Sequence, residues 1–122
     1  MAGMIMVIDD HPHVRDILAN FLLAAGHRFT LCSDGATALA RLTNEPFDLI
    51  VADLGLPDLP GLDLVRRAKA LCPKTPLAVI TGSSELMDAR TLGRWGIDYL
   101  LAKPFTREQF MTVVASALGQ HV

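Results

Sequence analysis

The stretch "DLIVADLGLPDLPG", residues Asp48 to Gly61, is the part of the chain from which the fold and the site are best inferred. Its short apolar run, Leu49–Ala52, has the length and composition of a buried strand. The run ends on an acid, Asp53, and a loop rich in glycine and proline follows. A carboxylate at this position either caps a turn or carries chemistry, and the rest of the sequence decides between the two.

Length and composition indicate one globular domain over residues 1–122. The chain is 51% hydrophobic and 20% charged, with a net charge of −2, as expected of a domain with a proper core. No basic cluster is longer than Arg66-Arg67, and the apolar runs are too short to cross a bilayer, so neither nucleic acid nor membrane is an expected partner. Cys32 and Cys72 have no CxxC spacing, which indicates thiols of a reduced, cytoplasmic protein.

Short apolar runs alternate with stretches of helical spacing along the chain. The runs predict strands over residues 4–8, 29–32, 49–52, 77–80 and 99–102. Helices are predicted after each run, beginning near Pro12, Asp34, Pro60, Ser84 and Thr106. Because the strands are apolar throughout and alternate with helices, we expect a single doubly wound α/β domain, (βα)5, whose parallel sheet has the flavodoxin-like order 2-1-3-4-5.

The helix ends differ in how clearly they are marked. The last helix has the best-marked start, since Thr106 and Gln109 fit a capping box and Phe105 can pack on Phe110 as a hydrophobic staple. Gly26 closes the first helix as a C′ glycine. The fourth helix, residues 84–94, is the weakest prediction because Gly93 interrupts a thin apolar stripe.

Polar residues follow the four inner strands of the predicted sheet. They are Asp9 and Asp10 after the first strand, Asp53 after the third, Thr81 after the fourth and Lys103 after the fifth. In an open parallel sheet the carboxyl ends of the strands meet at one edge, where ligands bind. We therefore expect three carboxylates, a hydroxyl and an ammonium group to lie together.

This combination of groups predicts a magnesium site and phosphorus chemistry. Carboxylates so close together repel one another, and Lys103 offsets only one charge. Mg²⁺ would offset more, since it binds one or two carboxylates together with water and phosphate oxygens. A carboxylate beside such an ion can attack phosphorus as a nucleophile. Taken singly, each residue could equally be a cap or a solvated strand end, but their convergence from four strands favours a functional site.

With these residues in place, the chain resembles the receiver domains of two-component response regulators. The resemblance covers residues 4 to about 118 and is carried by four motifs together: "VIDD", "DLGLPDLPGLDLV", "LAVITG" and "YLLAKPF". It implies a phosphorylation-activated signalling switch. The expected partners are a histidine kinase or phosphotransfer protein and a downstream effector protein or domain, and a homodimer through the fourth helix, fifth strand and fifth helix is a further expectation.

The resemblance also implies a role for each residue of the site. Asp53 would accept the phosphoryl group, and Asp10 and Asp53 would bind Mg²⁺ directly. Asp9 would assist through water, and the carbonyl group of Gly55 would supply another ligand. Thr81 would donate a hydrogen bond to the phosphoryl group. Lys103 would pair with it, and the Lys103–Pro104 peptide bond would be cis.

Three positions depart from the common receiver pattern. Leu100 stands where an aromatic or histidine switch residue is usual, and Tyr99 is expected on the opposite face of the strand. Gly55 stands where a larger side chain usually covers the site, so the phosphoryl group should be more open to water. Gly82 follows Thr81 where alanine is frequent, which leaves further room and a more mobile loop.

Two rival functions remain open at this stage. Leu100 favours an interaction module that keeps the fold and works without phosphorylation. A phosphatase with an aspartyl-phosphate intermediate is less favoured, because its usual second acid is replaced by Gly55. We expect a switch with self-dephosphorylation and not a turnover enzyme. A metal site at His11 and His13 has little support from sequence, and Trp95 fits a partner surface and the core equally well.

Overall fold

The computed structural model describes residues 3–82 and 89–119. The strands are β1 (Met4–Ile8), β2 (Arg28–Cys32), β3 (Leu49–Asp53), β4 (Leu77–Thr81) and β5 (Tyr99–Ala102), and the helices are α1 (Pro12–Ala24), α2 (Gly35–Asn44), α3 (Gly61–Leu71), α4 (Ala89–Trp95) and α5 (Arg107–Ala117). All strand pairs are parallel, and the order is β2-β1-β3-β4-β5. The predicted doubly wound fold and its strand order are confirmed.

The sheet separates two hydrophobic cores. Along β3 the side chains alternate, so that Leu49 and Val51 join the core under α1 and α5, whereas Ile50 and Ala52 join the core under α2 and α3. All five residues of β3 are buried. A strand covered on both faces has to be apolar throughout, which explains why this run does not alternate in the sequence.

Most predicted helix ends are confirmed. Gly26 has φ +82°, which only glycine adopts without strain. The Thr106 hydroxyl accepts a hydrogen bond from the Gln109 N–H at 3.0 Å, and the Gln109 side chain accepts one from the Thr106 N–H at 2.8 Å. The Phe105 and Phe110 rings lie 6.2 Å apart, as the staple requires.

The structure corrects one expectation about the helices and bears on an alternative interpretation of the acids after β1. Helix α4 continues through Gly93 to Trp95, so Gly93 does not interrupt it, and the predicted start at Ser84 lies outside the described residues. The N-cap residue of helix α1 is His11, whose side chain makes no capping hydrogen bond with the described residues, so neither Asp9 nor Asp10 is the N-cap. Trp95 is partly buried and packs against the α2–α3 core.

None of the helices in the described ranges combines the length and apolar character that a membrane span requires.

Candidate phosphorylation and metal site

The carboxyl edge of the sheet brings the predicted site residues together. Register pairs Ile8 of β1 with Ala52 of β3 and Thr81 of β4 with Ala102 of β5, so the residues that end or follow these strands are neighbours. Ligands of open parallel sheets bind at this edge, where strand order reverses. The expected convergence of polar groups is therefore seen in the structure.

Asp53 is the last residue of β3 and is only 5% exposed. One carboxylate oxygen, Oδ2, lies 3.2 Å from Lys103 Nζ. The other, Oδ1, accepts a hydrogen bond from the Gly55 N–H at 2.8 Å. A Cβ atom at Gly55 would lie 3.4 Å from Asp53 Oδ1, so glycine keeps the space beside this carboxylate open.

Asp9 is fully buried and incompletely hydrogen-bonded. Its Oδ1 accepts a bond from the His11 N–H at 2.8 Å, whereas its Oδ2 is buried with no partner among the described residues. Burial raises the pKa of Asp9, and the nearby charge of Asp53 raises it further. A buried carboxylate oxygen without a donor is costly unless a cation approaches it.

Asp10 and His11 complete this cluster. Asp10 Oδ1 is buried and has no hydrogen-bond partner among the described residues, although it lies 3.1 Å from the Nδ1 atom of His11, within ion-pair distance. Asp9, Asp10, His11 and Asp53 each offer one ligand atom, and these atoms all lie within 4.8 Å of one another. Three of these four atoms are carboxylate oxygens. Asp9 and Asp10 each have a buried oxygen without a donor among the described residues, so the residues fit a hard divalent cation such as Mg²⁺.

The remaining predicted residues surround this cluster. The Thr81 carbonyl accepts a hydrogen bond from the Lys103 N–H at 2.8 Å, which holds these two strand ends together. A Cβ atom at Gly82 would meet no atom of the described residues within 4 Å. The Lys103–Pro104 bond is cis. Leu100 packs on the α2–α3 side of the sheet and Tyr99 on the other, as the strand period predicts.

Two supporting contacts were not predicted from the sequence. The Asp58 carboxylate, in the loop after Asp53, accepts hydrogen bonds from the N–H groups of Gly35 and Ala36 at 3.0 and 3.1 Å. These bonds lower the pKa of Asp58 and tie the loop to the start of α2. Arg15 Nη1 donates to the Asp9 carbonyl oxygen at 2.6 Å. Asp58 and Gly35 are 23 residues apart, and no local pattern marks that contact.

An apolar groove of about 500 Å³ begins beside the site. It lies between α1, which contributes Val14, Ile17 and Phe21, and the segment 103–105, which includes Lys103. Ile17 is 37% exposed. Part of the apolar surface of α1 is therefore exposed to solvent, next to the acidic cluster.

Comparison with known proteins identifies the class to which this fold and site belong. The family model described as "Response regulator receiver domain" matches residues 5–115. The chain belongs to this family of two-component signalling proteins, and the resemblance drawn from its motifs is confirmed.

Two characterised relatives are regulators of transcription. The chain is 35% identical over 119 residues to the transcriptional regulatory protein FixJ of Bradyrhizobium diazoefficiens, covering 97% of this chain and 58% of FixJ. It is 31% identical over 119 residues to the DNA-binding transcriptional regulator NtrC of Bradyrhizobium sp. (strain RP501 Parasponia), covering 98% of this chain and 25% of NtrC. The chain thus spans 58% of FixJ and 25% of NtrC, less than two thirds of either relative.

A solved structure with a similar fold contains a metal ion. The receiver domain of the sensor histidine kinase PA1611 from Pseudomonas aeruginosa PAO1 has a TM-score of 0.87 and 25% identity, covering 98% of this chain and 100% of that one. That structure has a magnesium ion coordinated in its active-site cleft. The acidic cluster of this chain is typical of such a site.

Proposed function

We propose that this chain is a phosphorylation-activated switch in which Asp53 accepts a phosphoryl group from a histidine kinase or phosphotransfer protein. The observation that carries the proposal is the Asp53 carboxylate itself, buried at a sheet edge, 3.2 Å from Lys103 Nζ and within 4.8 Å of two further acids and His11. A nucleophile so held needs little further positioning.

The residues present can perform the transfer. A carboxylate oxygen of Asp53 forms a bond to phosphorus while the bond from phosphorus to the donor's histidine nitrogen breaks, and that nitrogen keeps the electron pair. Lys103, already paired with Asp53, offsets negative charge on the phosphoryl oxygens. Mg²⁺ held by Asp10, Asp53 and the Gly55 carbonyl, with Asp9 acting through water, would supply positive charge to the same oxygens.

The added charge provides the switch. A phosphoryl group adds about −1.5 to −2 charges at neutral pH, which attracts Lys103 and a donor such as the Thr81 hydroxyl. Movement of these residues, at the ends of β4 and β5, shifts the balance between two arrangements of the neighbouring surface. A partner that binds only one arrangement then detects the phosphorylated state. The protein then signals through its phosphorylation state and does not turn over a substrate.

We place the docking site of the phosphodonor in the groove between α1 and residues 103–105. The donor histidine has to reach Asp53, so its domain has to contact the surface around the site. An apolar surface beside Lys103 meets that need. A second groove of about 530 Å³ runs between β5 and α5 and is lined by Leu100, Ala102 and Thr112 among others. We place the effector there, and a homodimer through this face is the alternative occupant.

Cytoplasmic localisation also belongs to the proposal. Cys32 and Cys72 are free thiols, and Cys32 is buried. Free thiols are usual in a reducing compartment.

Phosphorylation by a small donor tests the proposal. The chain is incubated with Mg²⁺ and acetyl phosphate and then weighed by intact-mass spectrometry. We expect one phosphoryl group on the wild type and on Asp16→Asn, a control at an exposed acid of α1, and none on Asp53→Asn. Equal labelling of Asp53→Asn would disprove the assignment. A wild type that gains no mass would favour the phosphorylation-independent module, for which Leu100 at the switch position is the supporting feature.

A further inference from the structure

The β3–α3 loop, residues 54–60, carries a glycine that contacts the phosphoacceptor. The Gly55 N–H donates a hydrogen bond to Asp53 Oδ1 at 2.8 Å. Gly55 is exposed, and beyond its two chain neighbours Asp53 Oδ1 is the only atom of the described residues within 4 Å of a Cβ placed there. Glycine also has more backbone freedom than any other residue. The position of this N–H therefore depends on how the rest of the loop is held.

Three residues further along, Asp58 attaches the loop to helix α2. Its Oδ1 accepts a hydrogen bond from the Gly35 N–H at 3.0 Å, and its Oδ2 accepts one from the Ala36 N–H at 3.1 Å. A Cβ atom at Gly35 would lie 2.9 Å from Leu59 Cδ2, so glycine lets the loop and the helix start approach closely. The first N–H groups of a helix have no acceptor within the helix, and negative charge is favoured beside them. Both oxygens of Asp58 thus hold the loop on α2.

Helix α2 already has a cap of its own. Asp34, the residue before the helix, accepts a hydrogen bond from the Thr37 N–H at 2.7 Å, and one such side chain is the usual N-cap. Within the loop only Leu56 is buried, whereas Pro57 and Asp58 are exposed. The two hydrogen bonds of Asp58 therefore fix a part of the loop that packing alone leaves free.

We propose that Asp58 is a positioning residue for phosphoryl transfer, which holds the β3–α3 loop on α2 and thereby keeps the Gly55 N–H on Asp53 Oδ1. The inference rests on the proposed function, because it concerns the orientation of the Asp53 nucleophile. With one oxygen bonded to Gly55 and the other 3.2 Å from Lys103 Nζ, the carboxylate has a defined orientation. Loosening the loop frees the first oxygen, and small displacements of reacting atoms slow a reaction steeply.

Removal of either acid from the start of α2 tests this inference. The initial rate of phosphorylation by acetyl phosphate with Mg²⁺ is measured by intact-mass spectrometry for the wild type, Asp58→Ala and the matched control Asp34→Ala. Both variants lose an acceptor at the same helix start, so both should have a lower urea midpoint. Only Asp58→Ala should be phosphorylated more slowly, by about tenfold, since a displacement of about 1 Å can cost roughly a hundredfold. Asp58→Asn keeps one acceptor oxygen and should recover part of the rate.

The Gly55 amide gives a second measurement that does not depend on phosphorylation. In NMR spectra of the unphosphorylated protein, the Gly55 N–H should exchange with solvent faster in Asp58→Ala than in the wild type, and at the wild-type rate in Asp34→Ala. Equal phosphorylation rates in the two alanine variants, or unchanged exchange at Gly55 in Asp58→Ala, would overturn the inference and leave the proposed function standing. A wild type that gains no phosphoryl group would overturn both.

Discussion

The two edges of the sheet carry similar residues that are used in opposite ways. At the amino edge, three polar side chains that directly precede strands accept hydrogen bonds from backbone N–H groups at, or one residue before, the start of the adjacent strand. His27 accepts from the Gly3 N–H at 3.0 Å, Asp48 from the Met4 N–H at 2.8 Å and Asp98 from the Leu77 N–H at 2.8 Å. These contacts connect β2 to β1, β3 to β1 and β5 to β4, and thus fix the register of the sheet.

At the carboxyl edge the acids face one another. Within the part of the chain that the structure describes, Asp9 Oδ2 and Asp10 Oδ1 are buried without hydrogen bonds, and Asp53 contacts Lys103 and one backbone N–H. Strand β3 shows the contrast within one segment, since Asp48 precedes it and Asp53 ends it. Asp48, whose carboxylate accepts a backbone hydrogen bond, stabilises the fold. Asp9 and Asp10 each have a buried oxygen without a donor among the described residues and are available to bind a ligand.

The largest expected effect concerns removal of the metal. Because Mg²⁺ should bind only the folded carboxyl edge, it should raise the free energy of unfolding by about 2.7 kcal/mol at a hundred times its Kd. Urea denaturation with Mg²⁺ and with EDTA measures this. Asp10→Asn should lose most of the gain and Asp48→Asn should retain it. If Mg²⁺ stabilises Asp10→Asn but not Asp48→Asn, the metal binds at the amino edge and not at the carboxyl edge.

Removing a side-chain acceptor at the amino edge should destabilise the protein. Asp98→Ala leaves the N–H of buried Leu77 without its acceptor, which should lower the free energy of unfolding by about 1–2 kcal/mol. The ion pair of Asp98 with Lys69 is partly exposed and adds little. Asp98→Asn keeps an acceptor oxygen and should lose less than the alanine variant. If urea denaturation shows that both variants lose the same free energy of unfolding, the stabilisation comes from the charge of Asp98 and not from its hydrogen bond with the Leu77 N–H.

The sequence predicts local features well and long-range polar contacts poorly. Apolar runs give all five strands to within one residue at either end, and the capping box at Thr106 is visible because its two residues are three apart. The site is predictable because its residues end strands. The hydrogen bond from the Met4 N–H to the Asp48 carboxylate joins residues 44 positions apart, and no sequence pattern near Asp48 predicts it.

His11 illustrates the same limit at the site. Its position after two acids gives it no metal-binding spacing, and only the turn into α1 brings Nδ1 to 3.1 Å from both carboxylates. The exposure of Ile17 and the cap that Asp58 provides for α2 likewise depend on how helices pack. Local patterns cannot contain such information, because the partner lies on another element.

A smaller effect should follow from neutralising the buried acid. Without metal, ionised Asp9 is disfavoured by burial and by Asp53, so Asp9→Asn should raise the free energy of unfolding by about 0.5–1 kcal/mol in EDTA at neutral pH. A raised folded-state pKa means that the wild type is favoured at acid pH and loses that contribution as pH rises through the folded pKa. The advantage of Asp9→Asn should therefore grow with pH. A variant less stable than the wild type throughout would show that Asp9 holds the fold, as Asp48 does.

The smallest expected effect is the pH dependence that His27 gives to the amino edge. Burial lowers the pKa of His27 below its ordinary value of 6.5, so the unfolded chain takes up this proton at a higher pH than the folded chain. The stability that neutral His27 provides is present above 6.5 and is lost as pH falls from 6.5 towards the folded pKa. His27→Asn, which offers an acceptor for the Gly3 N–H but does not titrate, should lose stability less steeply than the wild type over this range in urea denaturation. His27→Ala lacks both properties, so it should be less stable than His27→Asn at every pH. If the two variants are equally stable, the contact with Gly3 does not hold β1 and β2 in register.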